Sequence, residues 1–297
     1  MSSHPLPHGR GSVSTYEPRP SGSGCVSLEK SYAFCRHIAK TRARNFYYSF
    51  VLLGPDQKNA MCAMYAFMRY CDDISEEAGA SLAAIEQWRR DLDNALKGEF
   101  SGNAVWPAVH DTVQRFQIPH QYLFDMIRGV SSDLQPRQVQ TFNELYEYCY
   151  LVASVVGLTT IHIFGFDDPK ALDLAEKCGI AFQLTNILRD VKEDSENRRL
   201  YLPAEDILRF QADLTQYDQR FIDLMEFEAA RAHDYYAQSR PLIEMVHRKS
   251  RGSLWALIEI YRRLLERIVR CRYDVLSGRV SLPAWEKMSI VARASLK

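Results

Sequence analysis

Glycine is scarce, 14 of 297 residues, and most of it lies in the N-terminal tail or between helical stretches. No Gly-rich phosphate loop, no GxSxG elbow and no HExxH pair occurs, which excludes the commonest nucleotide, acyl-transfer and zinc-hydrolase signatures. Alternating Val, Ile and Thr are nearly absent, which argues against a sheet-built fold. A charge of one sign is also missing: 37 Lys+Arg face 37 Asp+Glu, so no global field points to nucleic acid. The seven cysteines (Cys25, Cys35, Cys62, Cys71, Cys149, Cys178 and Cys271) are odd in number and form no CxxC pair. A zinc site or disulfide framework is thereby disfavoured, and reduced, mostly buried thiols in a cytoplasmic protein are expected. Leu151–Phe166 is the longest apolar run. It is short for a bilayer span and carries Thr159, Thr160 and His162, so it reads as a core helix. No N-terminal stretch reads as a signal peptide and no terminal stretch as an anchor.

What is present is helical periodicity, from about Leu28 to Leu276, in a chain that is 46% hydrophobic and able to bury a sizeable core. The expectation is an all-α protein. Residues 1–26, rich in Ser, Gly, Pro and Arg, are expected to be a disordered tail, and residues 27–297 to form one domain. Helices are expected over Ser81–Lys97, carrying Trp88, and over Trp106–Phe116, His120–Ser131 and Thr141–Phe164. In the last, the small residues Ala153, Ser154 and Gly157 permit close approach by a second helix or by a substrate chain. Asp168-Pro169 suits a helix start, with Asp as the cap and Pro at the first helical position.

Two stretches carry chemistry. In CGIAFQLTNILRDVKEDSENRRLYLP (Cys178–Pro203), a helical wheel with Gln183 at zero places Asn186 near 300°, Asp190 near 340° and Asp194 near 20°. These polar groups share one stripe of a helix otherwise built from Ile180, Phe182, Leu184, Ile187, Leu188 and Val191. A buried acidic stripe requires a partner, because an unpaired buried charge is costly. In QKNAMCAMYAFMRYCDDISEE (Gln57–Glu77), Arg69, Asp72 and Glu76 share a face, with Asp73 near 40° from Arg69. Two helices bearing carboxylates at i and i+4 suit Mg²⁺, which takes oxygen ligands and is commonly held by one or two carboxylates plus substrate phosphates. Arg69 and Arg189, beside the acids, suit phosphate oxygens. The bland reading of each acidic face alone is a solvated surface or a buried polar network.

NILRDVKED (Asn186–Asp194) followed by RLYLP (Arg199–Pro203), YAFMRYCDDISEE, and YCYLVASVVG (Tyr148–Gly157) together resemble the squalene/phytoene synthase family, across roughly Leu28–Lys287. The resemblance implies a single-domain isoprenoid-synthase-type helical bundle around a central cavity and an Mg²⁺-dependent prenyltransferase joining two prenyl diphosphates head to head. It implies metal binding by Asp72, Asp73, Glu76, Asn186, Asp190 and Asp194, and diphosphate or substrate contacts from Arg44, Arg69, Gln183, Arg189, Arg199, Arg279 and Lys287. It places Phe46 and Phe50 along the tail cavity, and Tyr148, Tyr201 and Tyr261 near the reacting carbons or the diphosphate. Asp72 and Asp190 count with Tyr148 and Tyr201 as catalytic.

Glu76 stands where many members have Asp, Ala43 and Asn45 where many have Ser, and Ser154 where Gly is common. Bulky Phe46 and Phe50 and the ARNFYYSF stretch favour farnesyl diphosphate and a C30 product of the presqualene diphosphate type in hopanoid biosynthesis, with NADPH if the reaction runs on to squalene. The alternative is geranylgeranyl diphosphate and phytoene, in carotenoid biosynthesis. A non-catalytic assembly factor is the alternative of another class, disfavoured by the intact carboxylates. A cytoplasmic protein with a peripheral membrane contact for releasing an apolar product is expected.

Overall fold

The computed structural model describes residues 26–43, 46–76, 81–134 and 137–296, and only the backbone of Phe46, Tyr48, Ser75 and Glu76. The expected tail therefore lies outside the described residues but for Val26. In chain order the helices are α1 (Leu28–Arg42), α2 (Phe46–Phe50), α3 (Pro55–Glu76), α4 (Leu82–Leu96), α5 (Trp106–Arg115) and α6 (His120–Ser132). A short strand β1 (Arg137–Gln138) precedes α7 (Phe142–Cys149), a π-helical turn (Tyr150–Ser154), α8 (Val155–Phe164) and α9 (Lys170–Glu196). Strand β2 (Arg199–Leu200) leads to α10 (Ala204–Phe210), α11 (Gln219–Ser239), α12 (Leu242–Met245), α13 (Arg248–Arg270) and α14 (Ala284–Ala294).

Local chemistry sets the helix starts. The side chains of Ser27, Ser81, Thr141 and Asp218 each accept a backbone N–H of the first turn that follows. At α9 the expected Asp cap is shifted by one position. Pro169 is the cap residue, and the Asp168 carboxylate takes the Lys170 N–H at 2.9 Å.

Buried residues form three clusters. One is built around Phe50, Phe67, Trp106 and Phe164. Another involves Leu145, Leu188, Phe221 and Leu265. The third, where α13 meets α14, contains Ile260, Ile290 and Ala294. Phe182 and Ile258 pack against the first two. Trp88 of α4 is buried against Trp106 with ring centroids 4.2 Å apart, and its N–H donates to Cys71 Sγ at 3.0 Å.

The expected Thr141–Phe164 helix runs unbroken over Phe142–Phe164, with a π-turn at its centre. Cβ atoms built on Gly129 and Gly179 would lie 3.0 Å from the Leu151 carbonyl oxygen and 2.5 Å from Ser154 Cα. The turn is thus wedged between α6 and α9 at backbone distance, a site where the extra residue of a π-bulge is accommodated. The close approach permitted by the small residues is therefore made by a helix, and the Ser154 hydroxyl donates to the Glu176 carbonyl at 2.8 Å. Phe142–Phe164 is long and apolar enough to cross a membrane by length and composition, yet Val155, Leu158, Ile161, Ile163 and Phe164 are buried within the bundle.

A buried polar knot ties α7, α10 and α11 together. Arg231 Nη1 donates to Asp206 at 3.0 Å and to both Glu228 oxygens at 2.9 Å, with its guanidinium 4.0 Å from the Phe142 ring centroid. Burial, with Asp206 alongside, pushes the Glu228 carboxyl up to about 8 despite Arg231.

Candidate active site

A cavity of about 570 Å³ opens between α3, α6, α8, α9 and α13, with the segment from Arg279 to Lys287 closing one side. This is within the range of about 300–1,000 Å³ usual for small-molecule pockets. Its depth is apolar, with Phe50, Met61, Met64, Met68, Met126, Val156, Ile260 and Leu264 on the wall. Four methionines make that wall adaptable, because an unbranched thioether fills irregular gaps at little cost. Asp72, Asn186, Arg42, Arg69, Arg189, Arg279 and Lys287 are its charged and amide lining, and Tyr65, Thr159, Thr160, Tyr261 and Ser281 add hydroxyls. A smaller chamber of about 80 Å³ shares Met68, Asp72 and Met126 with it and reaches Asp133, Leu151 and Val152 at the π-turn.

The carboxylates at the mouth hold arginines. Asp73 takes Arg42 and Arg69, each at 2.5 Å. Asp190 takes Arg189 Nε at 2.8 Å together with Arg189 Nη2, and Arg279 at 3.0 and 3.3 Å. Arg279 also lies 3.6 Å from Glu193. Asp194 sits further along the stripe. Burial first, then the charges of Asp190 and Glu193, pushes its carboxyl up to about 7. The Asn186 Oδ1 atom is buried without a hydrogen-bond partner, and its amide donates to Gln183 at 3.3 Å.

These are hard oxygen donors, and in Asn186 Oδ1 and the Asp194 carboxyl a demand for positive charge is left unmet, so the set fits Mg²⁺. Among the described residues no group of three or more His, Cys, Asp or Glu side chains could hold an ion by itself. Any ion there would need oxygens from a bound ligand to complete its shell, as Mg²⁺ sites commonly do.

Of the residues expected from sequence, Phe50, Arg69, Asp72, Asn186, Arg189, Tyr261, Arg279 and Lys287 line the cavity. Tyr261 stacks on Phe182 with centroids 4.3 Å apart, and burial raises its hydroxyl. Asp73 and Asp190 join through their arginines, and Gln183 through Asn186. Arg44 lies outside the described residues, as do the side chains of Phe46 and Glu76.

Tyr148, Tyr201 and Arg199 belong to a neighbouring group whose centre, Asp133, the sequence did not single out. Both tyrosine hydroxyls donate to Asp133, at 3.1 and 2.9 Å, and Arg199 donates to its carbonyl at 3.0 Å. The two rings stack at 4.7 Å, with Arg137 4.9 Å from the Tyr148 centroid. Burial raises the Asp133 carboxyl, against the pull of Tyr201 and Arg199. Asp133 follows the end of α6 in SSDLQPR, where helical phase no longer marks a face, and only its arginine and tyrosine partners in space identify it. Arg42, at the end of α1, was likewise missed; its sole sequence signal is its place among the basic residues before FYYSF.

Residues 39–286 match the family described as squalene/phytoene synthase. The 15-cis-phytoene synthase of Synechocystis sp. is 33% identical over 95% of this chain and 89% of its own. The phytoene synthase of Mycobacterium tuberculosis is 34% identical over 91% of this chain and 92% of its own. A crystal structure of a dehydrosqualene synthase with ligand superposes with a TM-score of 0.84 at 29% identity, over 91% of this chain and 96% of that one. The curated relatives overturn the expectation of a farnesyl substrate and a presqualene-type C30 product, and favour its C40 alternative. Phe50 does line the cavity, but a bulky side chain on one wall does not fix chain length where four methionines face it.

Proposed function

The chain belongs to the squalene/phytoene synthase family of prenyltransferases, and on that premise we propose that it joins two molecules of geranylgeranyl diphosphate head to head to give phytoene. The observation that carries this reading is the union of an apolar, methionine-walled cavity with a mouth of carboxylates and arginines, in a chain whose curated relatives are phytoene synthases.

Arg42, Arg69, Arg189, Arg279 and Lys287 hold the diphosphate oxygens, arginine doing so through its planar fork of donors. Asp72, Asp73, Glu76, Asn186, Asp190 and Asp194 would hold Mg²⁺ together with diphosphate oxygens. When bound, the ion supplies positive charge where the leaving diphosphate becomes more negative.

The walls around Phe50, the methionines, Val156, Ile260 and Leu264 keep the tails together and exclude water while a carbocation exists. One allylic diphosphate departs, and the 2,3 double bond of the second substrate attacks the cation. Loss of a proton closes a cyclopropane. Departure of the second diphosphate allows rearrangement, and loss of another proton ends the sequence at an alkene. Ending in proton loss requires no hydride donor, so the expectation of NADPH falls with the C30 product. Tyr65, Thr159, Thr160, Tyr261 and Ser281 are the neutral hydroxyls on the cavity wall, and the Tyr148–Tyr201 pair holds Asp133 beside the smaller chamber. Both tyrosines of the pair donate to Asp133. The assembly-factor alternative has no support from synthase relatives.

The deciding experiment incubates purified protein and Mg²⁺ with geranylgeranyl or farnesyl diphosphate and identifies products by mass spectrometry. A C40 hydrocarbon without added reductant is expected. No coupled product from geranylgeranyl diphosphate, or a faster C30 reaction, would overturn the reading.

A further inference from the structure

The outward side of α14 is apolar. With Trp285 at zero on a helical wheel, Met288 and Ala292 fall within about 60°, and Leu296 continues the line in the turn beyond. Trp285, Met288 and Leu296 are 67%, 54% and 88% exposed, and Ala292 is exposed too. The inward side is also apolar: Ile290 and Ala294 are buried against α13 and Leu52. A helix apolar on both sides is ordinarily covered on both.

The charges on and beside this face are mainly basic, the nearby acids Glu244 and Asp167 lying against Arg251 and His247. Between Lys287 and Leu296 the ionisable side chains are Lys287 and Arg293. Glu286 is turned to Arg263 and Arg267. The exposed Arg248 and Lys249 open α13, and Gly252 brings that turn against the end of α14, where a Cβ would lie 2.7 Å from the Ala294 carbonyl oxygen. Val51, 54% exposed, precedes the Leu52 that packs there. The same segment walls the cavity through Leu282 and Lys287.

We propose that the Trp285–Met288–Ala292–Leu296 face, with Arg248 and Lys249 beside it, rests on an anionic lipid bilayer and sets the cavity next to the hydrocarbon layer. Three features select a bilayer as the occupant. The cations complement acidic headgroups. Tryptophan with aliphatic side chains suits the interface. The adjoining cavity releases a product insoluble in water. This last argument rests on the proposed function; the first two do not.

Co-sedimentation of the full chain with phosphatidylcholine vesicles, with and without phosphatidylglycerol, tests the surface. Wild type is expected to follow the anionic vesicles, with tryptophan emission quenched by brominated lipid. Trp285→Ser combined with Met288→Ser should lower partitioning at least about tenfold, and Arg248→Glu with Lys249→Glu should abolish the preference for anionic lipid. Turnover of detergent-dispersed diphosphate should stay at the wild-type level in both variants, and unchanged circular dichroism confirms folding. A wild-type chain that ignores both vesicle types, or variants that sediment like wild type, would overturn the proposal. So would light scattering in which the Trp285/Met288 variant turns a dimer into a monomer, because the face would then belong to a second copy. Vesicle binding without any diphosphate condensation would overturn the proposed function and leave this surface standing.

Discussion

Asp190 and Asp73 each hold two arginines, so in the unliganded protein the groups suited to a metal ion and to a diphosphate are spent on each other. Two expectations follow at the scale of single residues. Asp190→Ala should lower turnover at least about a hundredfold, since charge placed at a leaving group is among the largest contributions to such catalysis. Its far-ultraviolet circular dichroism should be unchanged; turnover near wild type would remove Asp190 from the site. Arg279→Ala should bind Mg²⁺ more tightly than wild type in titration calorimetry without diphosphate, because a competing cation has gone. With inorganic diphosphate present, the order should reverse. These residues were legible because period 3.6 lines up acids on α3 and α9 in the sequence itself. Asp133 was not, since no periodic pattern reaches the turn after α6, and its importance lies in Tyr148, Tyr201 and Arg199, distant along the chain.

Among elements, the π-turn is what sequence periodicity misjudged most. A continuous apolar run predicts one helix over Thr141–Phe164, and nothing in its own residues announces an extra residue in the turn. The cause lies on other helices: Gly129 and Gly179 let α6 and α9 approach backbone to backbone. Gly179→Ala should therefore destabilise the protein. Alanine gains about 1 kcal/mol in helix propensity, but its Cβ would be 2.5 Å from Ser154 Cα and 2.7 Å from Ser154 N. Overpacking against backbone costs about 1–3 kcal/mol, and denaturant melts should show a net loss. A melt at or above the wild-type midpoint would mean that the π-turn yields freely. The helix starts, by contrast, were largely readable, because Asp168 acts through atoms local in sequence; its one-residue shift reflects a choice between neighbouring N–H groups.

The molecule as a whole was legible as a helical bundle because apolar spacing decides helix over strand throughout its length. The tail length of the substrate was not, since a cavity's depth is set by side chains from α2, α3, α6, α8 and α13 meeting in space. Global stability carries its own signature through Glu228. Its folded pKa of about 8 lies above the reference value of 4.5, so the folded state retains a proton that the unfolded chain releases. The contribution is full below about pH 4.5 and is lost as pH rises towards 8, at up to about 1.4 kcal/mol per pH unit. Glu228→Gln, uncharged in both states, should flatten that decline in melts between pH 5 and 8; parallel profiles would refute it.

The smallest element has a consequence in time. Strands β1 and β2 pair in parallel, Arg137 with Arg199 and Gln138 with Leu200. Val139 N–H donates to the Leu200 carbonyl at 3.0 Å, and Ala204 N–H to that of Val139 at 2.9 Å. This clasp fastens the turn carrying Asp133 to the end of the acidic helix. Its amides should exchange with deuterium as slowly as those of the last turns of α9, and the two should speed up together in denaturant, as one cooperative unit. Faster exchange at Val139 and Ala204 than in that helix would mean that the clasp opens on its own.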